Sequence, residues 1–166
     1  CGLLSVRPDQ RWARVQFASY GDGIAPVSGD INLAEAFPWA GGLLLEERAP
    51  VVVYRLTDLP PEAAADRFVW EHMGVRSNLA VPVFVGTEVP YVIVIHWVHQ
   101  EWHIPDLYIP RLRVLGDVAV SALQRKEAAD RAARQSARVA AAVDLAGIGF
   151  SEWTVGTGPP YVDARM

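Results

Sequence analysis

The chain of 166 residues is 51% hydrophobic and 20% charged, a composition that can bury a substantial core. Its net charge of -4 gives no reason to expect a nucleic acid or an anionic membrane as partner. The single cysteine, Cys1, excludes an intrachain disulfide and a zinc site built from cysteines. No apolar run approaches the roughly 20 residues needed to cross a bilayer, and no signal peptide is visible. We therefore expect a cytoplasmic protein.

The first third of the chain predicts three strands and one helix. Ala13, Val15 and Phe17 alternate with polar residues, as in a strand that is covered on one face. A later run is rich in β-branched residues, which favour strands. The predicted elements are a strand over residues 11–20, a short strand over 29–33, a short helix over 37–47 and a strand over 51–56.

A helix is predicted over residues 61–73, with Gly74 placed to end it in a left-handed cap. Five of its residues share one stripe at the spacing of a core-facing helix. His72 belongs to this stripe and is therefore expected to point inward. The stripe comprises Ala65, Phe68, Val69, His72 and Met73.

Two strands, over residues 78–85 and 91–98, are apolar at nearly every position. Strands of this kind are covered on both faces. The intervening segment 86–90 is short enough for a hairpin, so we expect an antiparallel pair in the middle of a sheet. The rest of the chain must then supply a covering layer on each side.

A long helix is predicted to begin near Pro105 and Pro110, because proline is tolerated only in the first turn of a helix. Its seam follows the three- and four-residue steps of a coiled coil. The first half of the seam is apolar enough to pack on the sheet. The second half offers mainly alanine, so we expect a homodimer through this helix, with a solvated linker helix as the alternative. The seam residues are Leu112, Leu115, Ala119, Ala122, Lys126, Ala129, Ala133, Ser136, Ala140 and Val143.

The glycines of segment 147–149 are expected to end this helix. Residues 150–155 predict a strand that leads into a turn. Residues 139–166 are too few to bury a core of their own. Because the chain starts at Cys1 and ends in incomplete structure, we expect it to be a fragment of a longer protein.

Six motifs follow one another in a specific order and spacing across residues 11–126. They are Phe37-Pro38-Trp39, Asp58-Leu59-Pro60-Pro61-Glu62-Ala63, Gly74-Val75-Arg76-Ser77-Asn78-Leu79-Ala80-Val81-Pro82, Trp102, Arg111-Leu112-Arg113-Val114-Leu115-Gly116-Asp117-Val118 and Ala122-Leu123-Gln124-Arg125-Lys126. This pattern resembles a bacterial GAF domain of the kind that precedes PAS domains in sensor histidine kinases. The tail, with residues 142–153 and Gly156-Thr157-Gly158, resembles the start of a PAS domain.

The resemblance implies an α+β fold, a six-stranded antiparallel sheet flanked by helices with a long C-terminal signalling helix. It divides the chain into an N-terminally truncated GAF domain over residues 1–123, a coiled-coil linker helix over 124–138 and an incomplete PAS domain over 139–166. It also implies a sensory or regulatory module in signal transduction. The expected parent is a sensor histidine kinase of a two-component phosphorelay, in which a dimeric helix relays the state of a ligand or partner.

Two other functions remain open at this point. The domain could bind nothing and serve as a dimerisation spacer, or it could be a small metal-dependent enzyme. None of the four histidines lies in the long helix, so any kinase activity is expected elsewhere in the parent protein and no enzyme activity in this chain. Pro90 replaces a glycine that is usual in such domains, which could narrow a pocket beside it.

The resemblance also limits the cofactors. The chain lacks the Asn-Lys-Phe-Asp-Glu arrangement of members that bind cyclic nucleotides. No cysteine lies inside the domain, so no bilin attachment is expected, and the cysteine chemistry of GAF-fold sulfoxide reductases is excluded. His72 and His96 could face one cavity, where a neutral imidazole could ligate haem iron. A histidine that is simply hydrogen-bonded in the core is the favoured interpretation.

Six residues are candidates for binding an unidentified small ligand. Arg76 and Ser77 offer donors to an anion, although fixing the turn into the next strand is the favoured role. The tryptophans among the candidates are most simply core or lid aromatics. The six are Trp39, His72, Arg76, Ser77, His96 and Trp97.

His99, Glu101 and His103 alternate along the chain. An extended strand would direct all three to one side, which is the spacing of a site with two histidines and one carboxylate. Trp102 and Pro105 indicate that the chain is already turning there. A solvated strand end is therefore favoured and no metal is expected.

Overall fold

Six antiparallel strands form one sheet in the order β3-β2-β1-β6-β5-β4 in the computed structural model. This confirms the predicted α+β fold with a six-stranded sheet. The structure describes residues 1–27, 29–146, 151–152 and 161–162. The strands are β1 Gly2–Val6, β2 Trp12–Ala18, β3 Asp30–Asn32, β4 Val51–Val53, β5 Ser77–Val85 and β6 Glu88–Trp97.

The strand pair β5 and β6 lies inside the sheet, as predicted. Strand β6 pairs with β1 and β5, and β5 pairs with β6 and β4. The hairpin is tighter than the predicted segment 86–90, because Glu88 already pairs with Val85. Pro90 therefore lies within β6. The pairing of β6 with β1 ends at Tyr91, so Pro90 has no partner on β1. Its missing backbone N–H costs no hydrogen bond to that strand.

Strand β2 turns one predicted core residue outward. Leu3 pairs with Phe17 and Leu4 with Val15, so the residue between Val15 and Phe17 has no pairing partner on β1 and the register shifts there. An extra residue in one strand moves the following side chains to the other face. Phe17 is consequently 59% exposed, although alternation predicted that it would share a face with Val15.

Short helical segments cover one face of the sheet. The predicted helix over residues 37–47 is divided into an α-helix and a π-helical turn, and the predicted strand over 51–56 ends at Val53. The α-helices are α1 Leu33–Ala36, α2 Pro38–Gly41 and α3 Ala64–His72. The other turns are the π-helical turn Gly42–Glu46 and the 3-10 turns Leu56–Asp58 and Pro61–Ala63.

The predicted core-facing stripe of α3 is wrong. Phe68 is 70% exposed and His72 is exposed, whereas Asp66 and Trp70 are buried. The carboxylate of Asp66 accepts hydrogen bonds from the backbone N–H groups of Trp39 at 3.2 Å and Ala40 at 2.9 Å. These donors belong to the first turn of α2 and have no partner within that helix. The helix is therefore rotated to bury a carboxylate.

The pKa of the Asp66 carboxyl is raised by burial, and its backbone hydrogen bonds act in the opposite direction. The end of α3 agrees with the prediction, because Gly74 has a positive φ of 71°, as a left-handed cap requires.

A single long helix, α4 Tyr108–Ala146, covers the other face of the strand pair with its first turns. Its buried residues are Leu112, Gly116 and Val120, which are spaced by four. Leu115, a predicted seam residue, is 57% exposed. The helix meets the sheet through Gly116 instead, because a residue without a side chain allows the closest approach.

Gly116 lies directly against the strand pair. A Cβ atom built on Gly116 would lie 2.6 Å from Cγ2 of Val83 on β5 and 3.1 Å from Cδ1 of Ile93 on β6. Val83 is 1% exposed, and a β-branched side chain in a strand has little rotamer freedom. This contact therefore fixes the distance between α4 and the sheet.

We predict that Gly116→Ala lowers the free energy of unfolding by about 1–3 kcal/mol, the usual cost of overpacking a core. At an exposed helix position the same change would raise the free energy of unfolding by up to about 1 kcal/mol, because alanine favours the helix more than glycine does. Denaturant unfolding measures the difference, and Val83→Ala in the same chain is expected to recover part of it. A Gly116→Ala protein more stable than wild type would contradict the close contact.

Residues Cys1–Val120 form one compact unit and Ser121–Met166 a second. In the second unit, α4 continues to Ala146, past the predicted end of the linker at residue 138. The strands β7 Ser151–Glu152 and β8 Tyr161–Val162 pair antiparallel. The predicted helix break at 147–149 lies outside the described residues, and the PAS segment stays a prediction. Within the described part of the chain, no helix combines the length and apolarity needed to cross a lipid bilayer.

Candidate ligand-binding cavity

A cavity of about 820 Å³ is lined on one side by the sheet and on the other by α1, α2 and α3. Strands β1, β2, β5 and β6 contribute alternate residues, and part of the loop after β2 adds to the wall. The volume falls in the range of roughly 300–1,000 Å³ that is typical of small-molecule sites. The sheet side chains that line the cavity include Leu4, Val15, Ala80, Val92, Val94 and His96.

The cavity wall is mostly apolar and lacks fixed side-chain charge. Among the described residues, no arginine, lysine, aspartate or glutamate lines it. A phosphate or carboxylate held there would have no arginine or lysine to pair with, and an unpaired buried charge is strongly disfavoured. The Cys1 amino group at this wall already donates to the Ser19 carbonyl, so the side chains of the wall favour an uncharged ligand.

Asn78 is the most deeply buried polar side chain in this wall. It is 1% exposed, and neither its amide nitrogen nor its amide oxygen has a hydrogen-bond partner among the described residues. Asn78 lies on β5 between Val53 of β4 and His96 of β6, on the same face as Ala80. A buried polar group without a partner costs about 1–3 kcal/mol, so this amide is available to a ligand.

The His96 imidazole opposite Asn78 is neutral above acid pH. Burial, and after it the positive charge of the Cys1 amino group, lowers the pKa of His96 from 6.5 to about 4. A neutral imidazole presents one donor and one acceptor. Asn78 and His96 thus place two uncharged hydrogen-bonding groups side by side in an apolar wall.

Three of the six predicted ligand-binding residues line the cavity, namely His72, His96 and Trp97. His72 is exposed, so it lies where the cavity opens to solvent and not in the core. Its ring stacks on Phe68 with 6.4 Å between ring centroids. Trp97 stacks on Trp102 at 6.5 Å with an angle of 3° between the ring planes.

The other three, Trp39, Arg76 and Ser77, lie away from the cavity wall. Trp39 packs against the hydrophobic core, and Arg76 is exposed. The Ser77 hydroxyl donates to the Tyr54 carbonyl at 2.7 Å and accepts the Trp102 N–H at 2.7 Å. Ser77 thus ties the start of β5 to two neighbouring segments.

His99, Glu101 and His103 do not form a cluster. Strand β6 ends at Trp97, so the extended geometry that would align them is absent. The Glu101 carboxylate accepts from Arg55 at 3.0 Å, and the His103 ring stacks on Tyr54 at 4.9 Å. In the part of the chain that the structure describes, no group of three or more histidine, cysteine or acidic side chains could hold a metal ion.

The haem and bilin expectations stay predictions. His72 and His96 both line the cavity, as does Cys1, which is exposed with a free thiol. Pro90, which could have narrowed a pocket beside it, is not among the residues that line this one.

Several solved structures share this fold over about three quarters of the chain. A phycocyanobilin-bound GAF domain from a cyanobacterial phytochrome is 18% identical, with a TM-score of 0.61, covering 74% of this chain and 73% of that one. This chain has the GAF fold. A domain assigned to a two-component sensor histidine kinase protein from Sinorhizobium meliloti 1021 is 15% identical, with a TM-score of 0.56, covering 80% and 83%.

A methyl-accepting chemotaxis protein also shares the GAF fold at 14% identity and a TM-score of 0.58, covering 75% of this chain and 76% of that one. No protein-family model and no curated protein matches the chain in sequence. At these identities the similarity establishes the fold, so the function must be argued from the cavity.

We predict that His96 makes the protein less stable in acid. Its folded-state pKa of about 4 lies below the ordinary value of 6.5, so between these values the unfolded chain binds the extra proton. The free energy of unfolding should fall by up to about 3 kcal/mol as the pH drops through this window.

The measurement is the difference between wild type and His96→Gln in denaturant unfolding from pH 7 to 4. The difference is needed because the raised pKa of Asp66 acts in the opposite sense, stabilising the fold as the pH falls. Parallel pH profiles for the two proteins would show that His96 is not held neutral.

Proposed function

We propose that this chain is a sensory GAF module of a signal-transduction protein, and that its cavity binds a small, uncharged, mostly apolar molecule. The observation that carries the proposal is the cavity of about 820 Å³ beneath the helical layer. A domain that served only as a spacer would gain stability by filling this volume, since unfilled space in a core forfeits packing energy.

The strand pair connects the cavity to the long helix. Ala80 and Val92 of β5 and β6 line the cavity, while Val83 and Ile93 of the same strands contact α4 at Gly116. A ligand that changes how the strands pack on one face therefore changes the surface on which α4 rests. Packed elements respond to such changes by discrete shifts, and α4 would carry the shift towards a following domain.

We predict that N-phenyl-1-naphthylamine, an uncharged apolar dye, binds the protein saturably at one site with increased fluorescence. Val94→Trp, which adds a bulky ring to the cavity wall, should weaken this binding at least about tenfold, because the added volume clashes with the ligand. Phe68→Trp is the matched control, since it adds an indole to the exposed face of α3. Absence of saturable binding, or equal binding by both variants, would favour the spacer.

We further propose that the module works as a homodimer through α4. Three neighbouring apolar side chains near the start of this helix are exposed, Val114 at 64%, Leu115 at 57% and Val118 at 60%. They share one side of the helix, because positions three and four apart are neighbours. Single exposed apolar residues are ordinary, but a contiguous helical stripe suits a second copy of the same helix. This exposed stripe continues into the predicted seam at Ala122.

We predict that wild-type protein sediments as a dimer at micromolar concentration and that Leu115→Glu sediments as a monomer. A glutamate in an apolar helix interface loses hydration without gaining a partner. Gln124→Glu introduces the same charge on the polar side of α4 and should remain dimeric. A wild-type monomer at high concentration, or a dimeric Leu115→Glu protein, would contradict this interface.

The finer proposal concerns the parent protein. We propose a cytoplasmic sensor histidine kinase of a two-component system in which a PAS domain follows residue 138 and the kinase lies further along the chain. The support is the PAS-like sequence of the tail and the shared fold with the Sinorhizobium meliloti domain. This chain would then regulate and not catalyse. The parent sequence beyond Met166 tests the proposal, and a cyclase or DNA-binding domain there would replace it.

A further inference from the structure

We propose that the cavity selects its ligand through an amide-like group, a lactam or carboxamide, which pairs with the side chain of Asn78. The rest of the ligand is uncharged and mostly apolar. This inference rests on the proposed function, because it requires that the cavity bind a ligand.

The first step is the state of the Asn78 amide. The side chain is 1% exposed, and both polar atoms lack a partner among the described residues. Most buried polar groups in folded proteins are hydrogen-bonded, so an unpaired carboxamide in a cavity wall marks a place for a complementary group. Asn78 belongs to a strand whose neighbouring residues Leu79 and Ala80 are apolar and buried.

The second step is the chemistry of the complementary group. An asparagine side chain offers a carbonyl acceptor and N–H donors next to each other. A lactam or carboxamide offers the same pair in reverse, so that one group satisfies both atoms of Asn78 with two parallel hydrogen bonds. A hydrocarbon would leave both atoms unpaired.

The third step is the side chains around this pair, which favour an uncharged ligand. No arginine, lysine, aspartate or glutamate among the described residues lines the cavity. The cross-strand neighbour of Asn78 is His96, a neutral donor and acceptor that can reach a second polar atom of the ligand. The remaining sheet residues around this pair, Ala80, Val92 and Val94, are apolar.

The test uses two compounds of nearly the same shape, phenanthridin-6(5H)-one and its N-methyl derivative. Methylation removes the lactam donor and leaves the carbonyl and the rings. Each compound is titrated against wild-type protein loaded with N-phenyl-1-naphthylamine, and displacement of the dye is followed by fluorescence. A site built around hydrogen bonds discriminates strongly against an analogue that lacks one. The lactam should displace the dye at a concentration at least about tenfold lower.

Asn78→Leu links the preference to this residue. Leucine has a similar size and no polar atoms, so the ratio between the two compounds should fall to about one. The same variant should melt at a higher temperature than wild type without ligand, because an unpaired buried amide is removed. His72→Leu is the matched control, since it alters a polar lining residue at the open edge of the cavity and should keep the ratio.

The outcomes separate the two proposals. Dye binding with equal displacement by both compounds in wild type overturns the amide inference while the ligand-binding function stands. A ratio that persists in Asn78→Leu overturns the assignment to Asn78. Lack of saturable dye binding overturns the proposed function and the inference with it. The wild-type comparison decides the selectivity even if Asn78→Leu does not fold.

Discussion

The structure depends on one constraint, the absence of a polar face on the strand pair β5 and β6. Strands with apolar side chains on both faces must be covered twice. Helix α4 supplies one layer and packs so closely that a Cβ atom at position 116 would clash with Val83. Helices α1 to α3 supply the other layer, but these short segments leave a cavity of about 820 Å³. The two faces of the same strands are therefore packed to different densities.

This asymmetry supports the sensory role proposed for this GAF fold. A displacement of β5 would reach α4 at the close-packed face, because the buried, β-branched Val83 has little freedom to move independently of β5. The open face leaves room for the proposed ligand. Since alternate residues of one strand line the two faces, only the thickness of a single sheet would separate the proposed ligand from α4. Coupling between the two would need no long chain of intermediate residues.

Two buried polar groups near the cavity have different roles. Asp66 organises the helical layer, because its carboxylate satisfies the backbone donors that begin α2. The Asn78 side-chain amide makes no hydrogen bond to the described part of the chain, so it does not hold two elements together. A buried polar group that does not stabilise the fold is most simply explained by a partner from outside it. The contrast supports assigning Asn78 to recognition.

The amino-acid pattern alone determined the paired apolar strands, their central place in the sheet, the left-handed cap at Gly74 and the long helix, because each depends on local periodicity or backbone conformation. It did not predict β1, the bulge that exposes Phe17, or the face that α3 buries. The pattern indicated no packing role for Asp66 or Gly116. An aspartate and a glycine in a helix contribute to packing only when a neighbouring element lies against them. Asn78 likewise read as an ordinary strand residue. Only the tertiary structure places the donors of α2 beside Asp66, the strand pair against Gly116 and the cavity beside Asn78, because each of these neighbours is distant in the sequence.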